Sequence, residues 1–402
     1  MVNGLPDARL EGIFFMFGGI PNTIFESQVL VHVRNMQQVG IDMEVWTFAG
    51  SSWEYRAALD ALPRIENNFP TIKVRVFRGV RPALPSSEWL NALLLLWRMW
   101  RLGAKPSFVH ARTEHATAVA ALAKSLKKYA LIWDARGASL SEFRAHAREL
   151  PRTLRWLVPV NIRAITRRMK MANRRCDAAI FVSDELRSLD GLEVPVERTL
   201  IVPCLADESL FYFDPELREE ARKSLGYAND DDVIVYVGST EIWQCIPEMI
   251  LLMQNALSVS ASVKVLIVSH GRTVFESAFT SDLRDRVCIT SGSLREVNRY
   301  LNAADFGVLL RKPNLINKVA SPVKFAEYSL AGLTVVTTDA VEQVRQIGRT
   351  LGNIVEPDVF LRDYVQKGVK PAHRSEISAG ARVILGRRSH IDTLAEFYGR
   401  LR

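Results

Sequence analysis

Short apolar runs recur along the chain, and stretches of helical length that are polar or amphipathic separate them. Runs of this kind, bounded by glycine and polar residues, are typical of the buried strands of a parallel sheet. The alternation restarts at Asp232, after a polar helix from Glu216 to Gly226. We therefore predict an α/β protein with two parallel-sheet domains that face each other across a cleft. The principal predicted strands are Glu11 to Phe17, Asp42 to Phe48, Ile72 to Phe77, Ser107 to Ala111, Tyr129 to Trp133, Ala178 to Val182, Val233 to Val237, Ser262 to Ser269, Val287 to Thr290 and Phe306 to Leu310.

The segment from Arg311 to Thr338 is the most informative part of the pattern, because it predicts a polar loop, a short helix, a glycine turn and a strand. Ser321 is a suitable N-cap, Pro322 suits the first helical position, and Gly332 can end the helix. The start of a helix favours an anion, and Lys324 lies in its first turn. Glu327 follows on nearly the same face, where a carboxylate can accept two hydrogen bonds from a ribose diol. A solvated Lys324–Glu327 pair on an ordinary helix is the alternative.

The run Ser321-Pro-Val-Lys-Phe-Ala-Glu-Tyr-Ser-Leu-Ala-Gly332 resembles the signature of the retaining nucleotide-sugar glycosyltransferases of family 4. The resemblance implies two Rossmann-like domains in the GT-B architecture, transfer with retention of anomeric configuration, and no metal or other cofactor. It implies that Glu327 holds the donor ribose. The chain differs from the pattern at Val319, where the family has a glutamate, and at Glu241 and Gln244, where it has a basic residue. The implied donor-binding residues are Gly19, Gly238, Ser239, Gly292, Arg311, Ser321, Lys324 and Glu327.

Polar residues also follow two predicted strands of the first domain. His110 and Arg112 come at the end of one strand, and Asp134 and Arg136 follow the next. The carboxyl ends of parallel strands form the crevice where α/β proteins bind ligands. We therefore expect His110, Asp134 and Arg136, together with Lys324, to include the catalytic groups, while an ordinary loop-fixing role for the first three stays open.

The positive charge of the chain is confined to its first half. Residues 1–200 carry 28 Lys and Arg against 19 Asp and Glu, a net charge of +9, whereas residues 201–402 have a net charge of −1. Ten basic residues and one acid lie between Arg144 and Arg175. Such a block indicates an anionic partner, and we expect an anionic membrane or an acceptor to contact it, rather than nucleic acid. The surface residues of this prediction are Arg167, Arg168, Arg174 and Arg175.

A second feature of the first domain is a predicted helix from Ser86 to Arg101, which combines three tryptophans, a leucine run and two arginines. This composition suits a helix at a membrane interface, although core helices of α/β domains look similar. No apolar run is long enough for a membrane-spanning helix or fits a secretion signal. The four cysteines are widely spaced, as expected of free thiols in a reducing compartment. We expect a cytoplasmic protein at the inner face of the cytoplasmic membrane.

Taken together, these features predict a glycosyltransferase that moves a sugar from a nucleotide-sugar donor to a glycolipid or other glycan acceptor, lipid-linked or polysaccharide-type, in cell-surface polysaccharide biosynthesis. We assign residues 1–200 to an acceptor-binding domain, 201–375 to a donor-binding domain, and 376–402 to a C-terminal helix, Ile377 to Leu401, that crosses back to the first domain. A catalytically weak nucleotide-sugar-binding or scaffold protein, a nucleotide-sugar epimerase and a nucleic-acid binder are the alternatives.

Overall fold

The computed structural model describes residues 10–20, 25–84, 86–189, 191–279, 283–371 and 373–401. The chain divides into two compact units. Unit 1 comprises Met1–Pro203 and His390–Arg402, and unit 2 comprises Cys204–Ser389. Within the described residues, each unit is built on one parallel β-sheet that is connected through helices. The prediction of an α/β chain with two parallel sheets is confirmed.

The sheet of unit 1 has seven described strands, and its core is formed by their apolar runs. The strands are β1 Leu10–Phe17, β2 Ile41–Ala49, β3 Val74–Arg78, β4 Phe108–Arg112, β5 Ala130–Ala135, β6 Ala178–Phe181 and β7 Thr199–Ile201. They lie in the order β3-β2-β1-β4-β5-β6-β7, with every pair parallel. The carboxyl ends of β4 and β5 are therefore neighbours, with Arg112 opposite Asp134.

Helices connect these strands and cover the sheet. They are α1 Val31–Gln37, α2 Ser52–Asn68, α3 Ser87–Arg101, α4 Thr113–Ala123, α5 Ser139–Ala147, α6 Leu157–Arg175 and α7 Asp184–Arg187. A π-helical turn, Phe25–Leu30, leads into α1, and 3₁₀ turns cover Arg152–Leu154 and Val196–Arg198. Pro151 separates α5 from α6, whereas Pro159 is accommodated in the first turn of α6, where no N–H is required.

Unit 2 contains a six-stranded parallel sheet in the described residues. Its strands are β8 Asp232–Val237, β9 Val263–Val268, β10 Val287–Thr290, β11 Phe306–Leu309, β12 Thr334–Thr337 and β13 Ile354–Val355, in the order β10-β9-β8-β11-β12-β13. Its helices are α8 Pro215–Leu225, α9 Ile246–Val259, α10 Arg272–Glu276, α11 Leu294–Ala303, α12 Leu315–Lys318, α13 Val323–Leu330, α14 Glu342–Leu351, α15 Pro357–Val359 and α16 Arg374–Leu385. Its 3₁₀ and π-helical turns are Ile242–Gln244, Arg284–Arg286, Phe360–Gln366 and Arg388–His390.

The C-terminal segment differs from its prediction. Where the sequence predicted one helix from Ile377 to Leu401, the structure has α16 and a separate helix, α17 Ile391–Gly399. Gly386 has an extended backbone and forms a β-bridge with Ala206, which ends the first helix. The helix α16 packs against α13 in unit 2, whereas α17 packs against α1 in unit 1.

Candidate functional site

A lysine is held over the end of β8 in unit 2. Lys324 lies in the first turn of α13, and its Nζ donates hydrogen bonds to the hydroxyl of Tyr236, at 3.1 Å, and to Oε1 of Gln244, at 2.8 Å. The same atom lies 4.3 Å from the centroid of the Tyr236 ring. The tyrosine hydroxyl is itself fixed, because it donates to the carbonyl of Ser239 at 2.6 Å. The lysine is therefore positioned by neutral groups.

Gly238 makes room for this lysine. Its φ is +146°, and a Cβ at this position would lie 2.2 Å from the Nζ of Lys324. A larger residue would be strained and would displace the ammonium group. The predicted donor-binding residues Gly238, Ser239 and Lys324 are thus brought together at the carboxyl end of β8.

The charge of Lys324 is poorly compensated. Burial, and then the nearby guanidinium of Arg311, hold the pKa of Lys324 well below its usual value, although Glu327 acts to raise it. Among the described residues, no carboxylate lies within ion-pair distance of its Nζ. An anion placed beside it would restore the charged form of the lysine, which is the property expected of a phosphate-binding lysine.

Glu327 lies one turn further along α13 and is also half-buried. Burial raises the pKa of Glu327 to about 7, and the charges of Lys324 and Arg387 offset this only in part. Within the described part of the chain, no side-chain hydrogen bond to its carboxylate is seen. The carboxylate is therefore a strong hydrogen-bond acceptor to which no described side chain of unit 2 donates a hydrogen bond.

Two predicted donor-binding residues, Ser321 and Arg311, have hydrogen-bond partners within the protein, and donor binding by them and by Gly292 stays a prediction. The Oγ of Ser321 accepts a hydrogen bond from the backbone N–H of Cys204 at 2.7 Å, and α13 begins at Val323 with Pro322 as its cap, so the predicted N-cap role of Ser321 is wrong. Arg311 is buried, and its Nη1 donates to the carbonyl of Leu310 at 2.9 Å. Gly292 precedes a capping box that Ser293 and Glu296 form at the start of α11.

Gly19 is exposed and lies in the loop after β1. Its φ of +86° is left-handed, as is that of Gly18 at +60°. The prediction that Gly19 approaches the donor stays a prediction.

In unit 1, His110 and Asp134 form a buried network with Tyr398 of α17. The Nδ1 of His110 lies 2.6 Å from the Tyr398 hydroxyl, and that hydroxyl is also 3.0 Å from Nε2 of His32. On its other side, Nε2 of His110 is 3.3 Å from Asp134 Oδ2. His110 and Asp134 expose no surface. The structure gives both residues partners within the protein, and their predicted catalytic role stays a prediction.

Asp134 also collects two arginines. Its Oδ1 is 2.7 Å from Nε of Arg136, and its Oδ2 accepts a hydrogen bond from Nη1 of Arg112 at 3.3 Å. Burial alone would raise the pKa of Asp134, but Arg136, His110 and Arg112 outweigh burial and hold it well below its usual value. Arg136, the third predicted catalytic residue of this group, is thus paired with the carboxylate it follows in sequence.

A pocket lies beside this network, at the carboxyl ends of β4 and β5. Its lining includes Trp133, Arg136, Glu114, Glu142 and Ser139. Ser139 donates a hydrogen bond to Glu114 Oε2 at 2.7 Å. The buried indole N–H of Trp133 has no partner among the described residues.

Two further features indicate that this pocket is constrained around its carboxylates. A Cβ on Gly137 would lie 2.2 Å from Glu142 Oε1, so this glycine leaves the carboxylate its space. Thr113, which also lines the pocket, has a left-handed φ of +77°, a strained conformation that clusters at functional sites. Burial, and then the neighbouring Glu114, raise the pKa of Glu142.

Four of these residues were not predicted from the sequence: Glu114, Glu142, Tyr236 and Gln244. Tyr236 lies inside an apolar strand, so its position indicates a core residue. Glu142 follows Ser139 at the spacing of an ordinary capping box, so its position indicates a helix start. The signal available for Gln244 was its place shortly after Gly238, where a donor-contacting residue was expected.

The basic surface is only partly as predicted. Arg174 and Arg175 are exposed, and so is Arg167, which contacts Glu88. Arg168 is buried, with its Nη2 3.1 Å from Glu88 Oε2, and so does not belong to the surface. Among the described residues, no group of three or more His, Cys, Asp or Glu side chains is arranged to hold a metal ion. No described helix combines the length and apolar character needed to cross a membrane.

No protein-family model and no curated protein sequence matches the chain. Solved structures do match it. The HepE protein of Anabaena in complex with UDP is 15% identical, with a TM-score of 0.68 over 97% of this chain and 100% of that chain. Sucrose-phosphate synthase of Thermosynechococcus elongatus is 12% identical, with a TM-score of 0.68 over 97% and 99%. A putative UDP-N-acetylglucosamine 2-epimerase of Listeria monocytogenes is 11% identical, with a TM-score of 0.52 over 97% and 91%.

At these identities the likeness concerns the fold. The two parallel sheets of the chain match the GT-B fold of glycosyltransferases, as the sequence predicted.

Proposed function

We propose that the chain is a glycosyltransferase that takes a sugar from a nucleoside-diphosphate donor. The observation that carries the proposal is the pairing of Lys324 and Glu327 on one helix, with the lysine held by neutral groups and the carboxylate without a bonded partner in the described residues. A diphosphate and a ribose are the two chemical groups that would satisfy them. The structures of HepE in complex with UDP and with UDP-glucose make a uridine nucleotide the first donor to test.

In this proposal Lys324 supplies positive charge to the departing diphosphate. Its position is fixed before the reaction by Tyr236, Gln244 and the space above Gly238, so no reorganisation is needed as negative charge develops. The partial positive charge at the start of α13 adds to the same field. We further propose that no metal ion takes part and that the anomeric configuration of the sugar is retained.

The acceptor is assigned to the pocket of unit 1. Two carboxylates, a hydroxyl and an indole N–H are the groups that bind sugar hydroxyls, and Glu114, Glu142, Ser139 and Trp133 supply them. We propose a glycan acceptor, lipid-linked or of the polysaccharide type, and a cytoplasmic protein at the inner face of the membrane.

Titration calorimetry with UDP tests the donor site. Glu327→Gln keeps the size of the side chain and removes the charged acceptor, and we expect it to weaken UDP binding about 10- to 100-fold, because a hydrogen bond to a charged group contributes ~1.5–3 kcal/mol. Lys324→Met should have an effect at least as large. Glu376→Gln, on the exposed surface of α16, is the matched control and should bind like the parent chain.

Unchanged UDP affinity in both Glu327→Gln and Lys324→Met, in a parent chain that binds UDP, would refute the assignment of the site. If the parent chain binds no nucleoside diphosphate in a panel of bases, the proposed function itself fails.

A nucleotide-sugar-binding protein without transfer activity is the second candidate. It is favoured by Val319, which is fully buried and apolar at the position where the resembling enzymes carry a sugar-contacting glutamate. Incubation with a labelled donor separates the candidates. Transfer to an added glycan indicates a transferase, a changed sugar without acceptor indicates an epimerase, and binding with neither product indicates a binding protein.

A further inference from the structure

The helix α3 exposes a large apolar side, unlike an ordinary surface helix. Its polar residues Ser87, Glu88 and Asn91 expose no surface and face the interior of unit 1. Leu95 and Met99 are buried on the same inner side, but five large apolar residues face outward: Trp89, Leu90, Leu93, Trp97 and Trp100 are between 41% and 74% exposed. These five residues, spaced to share one side of the helix, are called the aromatic face.

The inward polar side is locked in place, so the aromatic face cannot simply rotate inward. Glu88 is buried against Arg168, with Nη2 and Nε of the arginine 3.1 and 3.2 Å from its Oε2. Asn91 accepts a hydrogen bond from the N–H of Val80 at 2.8 Å and donates one to its carbonyl at 2.9 Å. Rotation of the helix would deprive these buried polar groups of their hydrogen-bond partners, which would cost more free energy than the exposure of the aromatic face to water.

Basic residues border the aromatic face. The guanidinium of Arg98 lies 4.4 Å from the ring centroid of Trp97, and that of Arg101 lies 5.4 Å from it. On α6, a row of exposed basic residues recurs at helical spacing. This basic row consists of Arg163, Arg167, Lys170 and Arg174.

The two helices lie on the same side of the sheet. The connections β3 to β4, β4 to β5 and β5 to β6 all advance in one direction along the strand order, and right-handed crossovers then place α3, α4 and α6 on one face. Both α3 and α6 pack against α4, and Glu88 of α3 meets Arg167 and Arg168 of α6. The aromatic face and the basic row therefore belong to one surface of unit 1.

We infer that this surface docks on an anionic phospholipid membrane. Tryptophans with arginines stacked beside them suit the boundary between acyl chains and headgroups, where the rings are buried and the guanidinium groups meet lipid phosphates. The basic row gives the charge complementarity that an apolar protein partner would not require. This inference deepens the membrane location in the proposed function by naming the surface that docks. It does not depend on the donor site, because none of these residues belongs to the Lys324 site.

Sedimentation with vesicles of phosphatidylcholine, with and without phosphatidylglycerol, tests the inference. We expect binding that requires phosphatidylglycerol and weakens with salt. Substituting Arg163, Lys170 and Arg174 with Gln should lower the partition coefficient roughly 100-fold, since each basic residue contributes about a factor of five. Substituting Lys223, Lys367 and Lys370 with Gln removes the same charge from exposed positions of unit 2 and should have little effect.

The aromatic face is tested separately. Substituting Trp89, Trp97 and Trp100 with Ser should lower the partition coefficient at least about 10-fold, and brominated acyl chains should quench tryptophan fluorescence in the parent chain but not in this variant. Trp53→Ser is the control, because Trp53 is 76% exposed on α2, whose connection from β2 to β3 runs in the opposite direction. UDP affinity and the thermal midpoint, measured on every variant, show that the fold and the donor site are intact.

Equal sedimentation of the basic and aromatic variants with the parent chain would overturn the inference. A parent chain that does not bind vesicles but forms a dimer, which the tryptophan substitutions dissociate, would also overturn it. So would a parent chain that binds RNA through the basic row in preference to vesicles.

Discussion

The two sheets place charged side chains at equivalent positions and treat them differently. At the ends of β4 and β5 in unit 1, Asp134 is surrounded by His110, Arg112 and Arg136, and the Tyr398 hydroxyl completes the network. At the end of β8 in unit 2, Lys324 has only neutral hydrogen-bond partners in the described residues, and burial shifts the pKa values of Lys324 and Glu327 toward their uncharged forms.

The contrast shows how far a strand-end position can indicate function. Both sets of residues lie where ligands of parallel α/β proteins bind. In unit 1 the charges neutralise each other and need nothing from a ligand. In unit 2 the charged forms of Lys324 and Glu327 are destabilised by burial, and a ligand that pairs with them would lower this free-energy cost. This is the pattern expected of a binding site.

The largest effect is expected when Asp134 is removed. Asp134→Asn should destabilise unit 1 by about 3–5 kcal/mol, because the buried charges around it lose their carboxylate. Urea unfolding measures the change. Asp184→Asn, at an exposed Asp184–Arg187 pair, should change stability by less than about 1 kcal/mol. A similarly small effect at Asp134 would mean that the network is not structural.

Glu327→Gln should have the opposite effect on the free energy of unfolding and stabilise the protein. The raised pKa of Glu327, about 7, means that the folded state binds the proton more tightly than the unfolded chain, so the parent loses stability as the pH rises from about 4.5 through 7. The variant should therefore be more stable than the parent by about 1–3 kcal/mol at pH 8, and equal to it near pH 4. Parallel unfolding curves at the two pH values would contradict the assignment, and Glu376→Gln should follow the parent at both.

Tyr398→Phe probes the network of unit 1 with a smaller change. The substitution keeps the ring and removes the hydroxyl that lies between His32 and His110, and we expect a loss of about 1–2 kcal/mol in unfolding free energy. UDP affinity should not change, since the proposed donor site at Lys324 and Glu327 does not include this network. Tyr300→Phe, at a half-buried position of α11, provides a control for loss of a hydroxyl elsewhere.

The smallest signal is a proton. Lys324 has a lowered pKa that a bound diphosphate would raise, so UDP binding should be accompanied by uptake of less than one proton. At pH 8.5, where Glu327 is ionised in both states, the binding enthalpy should differ between Bicine and Tris buffers in proportion to this uptake. The difference should vanish in Lys324→Met if binding is still measurable. Identical heats in both buffers for the parent would place the diphosphate away from this lysine.

The sequence predicted the fold well because its signal is local. Apolar runs such as Val233 to Val237 and Val287 to Thr290 mark strands β8 and β10 directly, and glycines and capping residues mark the turns. The helix carrying Lys324 and Glu327 was found for the same reason, with a start one residue later than expected.

Contacts between distant residues could not be predicted in the same way. Asp134 and Tyr398 read as separate polar positions, and only the folded chain brings α17 against His110. Arg168 looked like one arginine of an exposed block, whereas its partner Glu88 lies on another helix. In both cases burial and a partner far away in sequence decide the role of the residue, and no local pattern records them.

The placement of Tyr398 has a consequence for how the protein is made. Unit 1 contains residues from both sides of unit 2 in chain order, so the ribosome releases α17 only after the whole second unit has been synthesised. Until then His110 and His32 lack the hydrogen-bond partner that the hydroxyl of Tyr398 provides in the folded chain. The packing of the amino-terminal sheet should therefore stay incomplete in the nascent chain until unit 2 has been synthesised, and unit 2 can finish folding first.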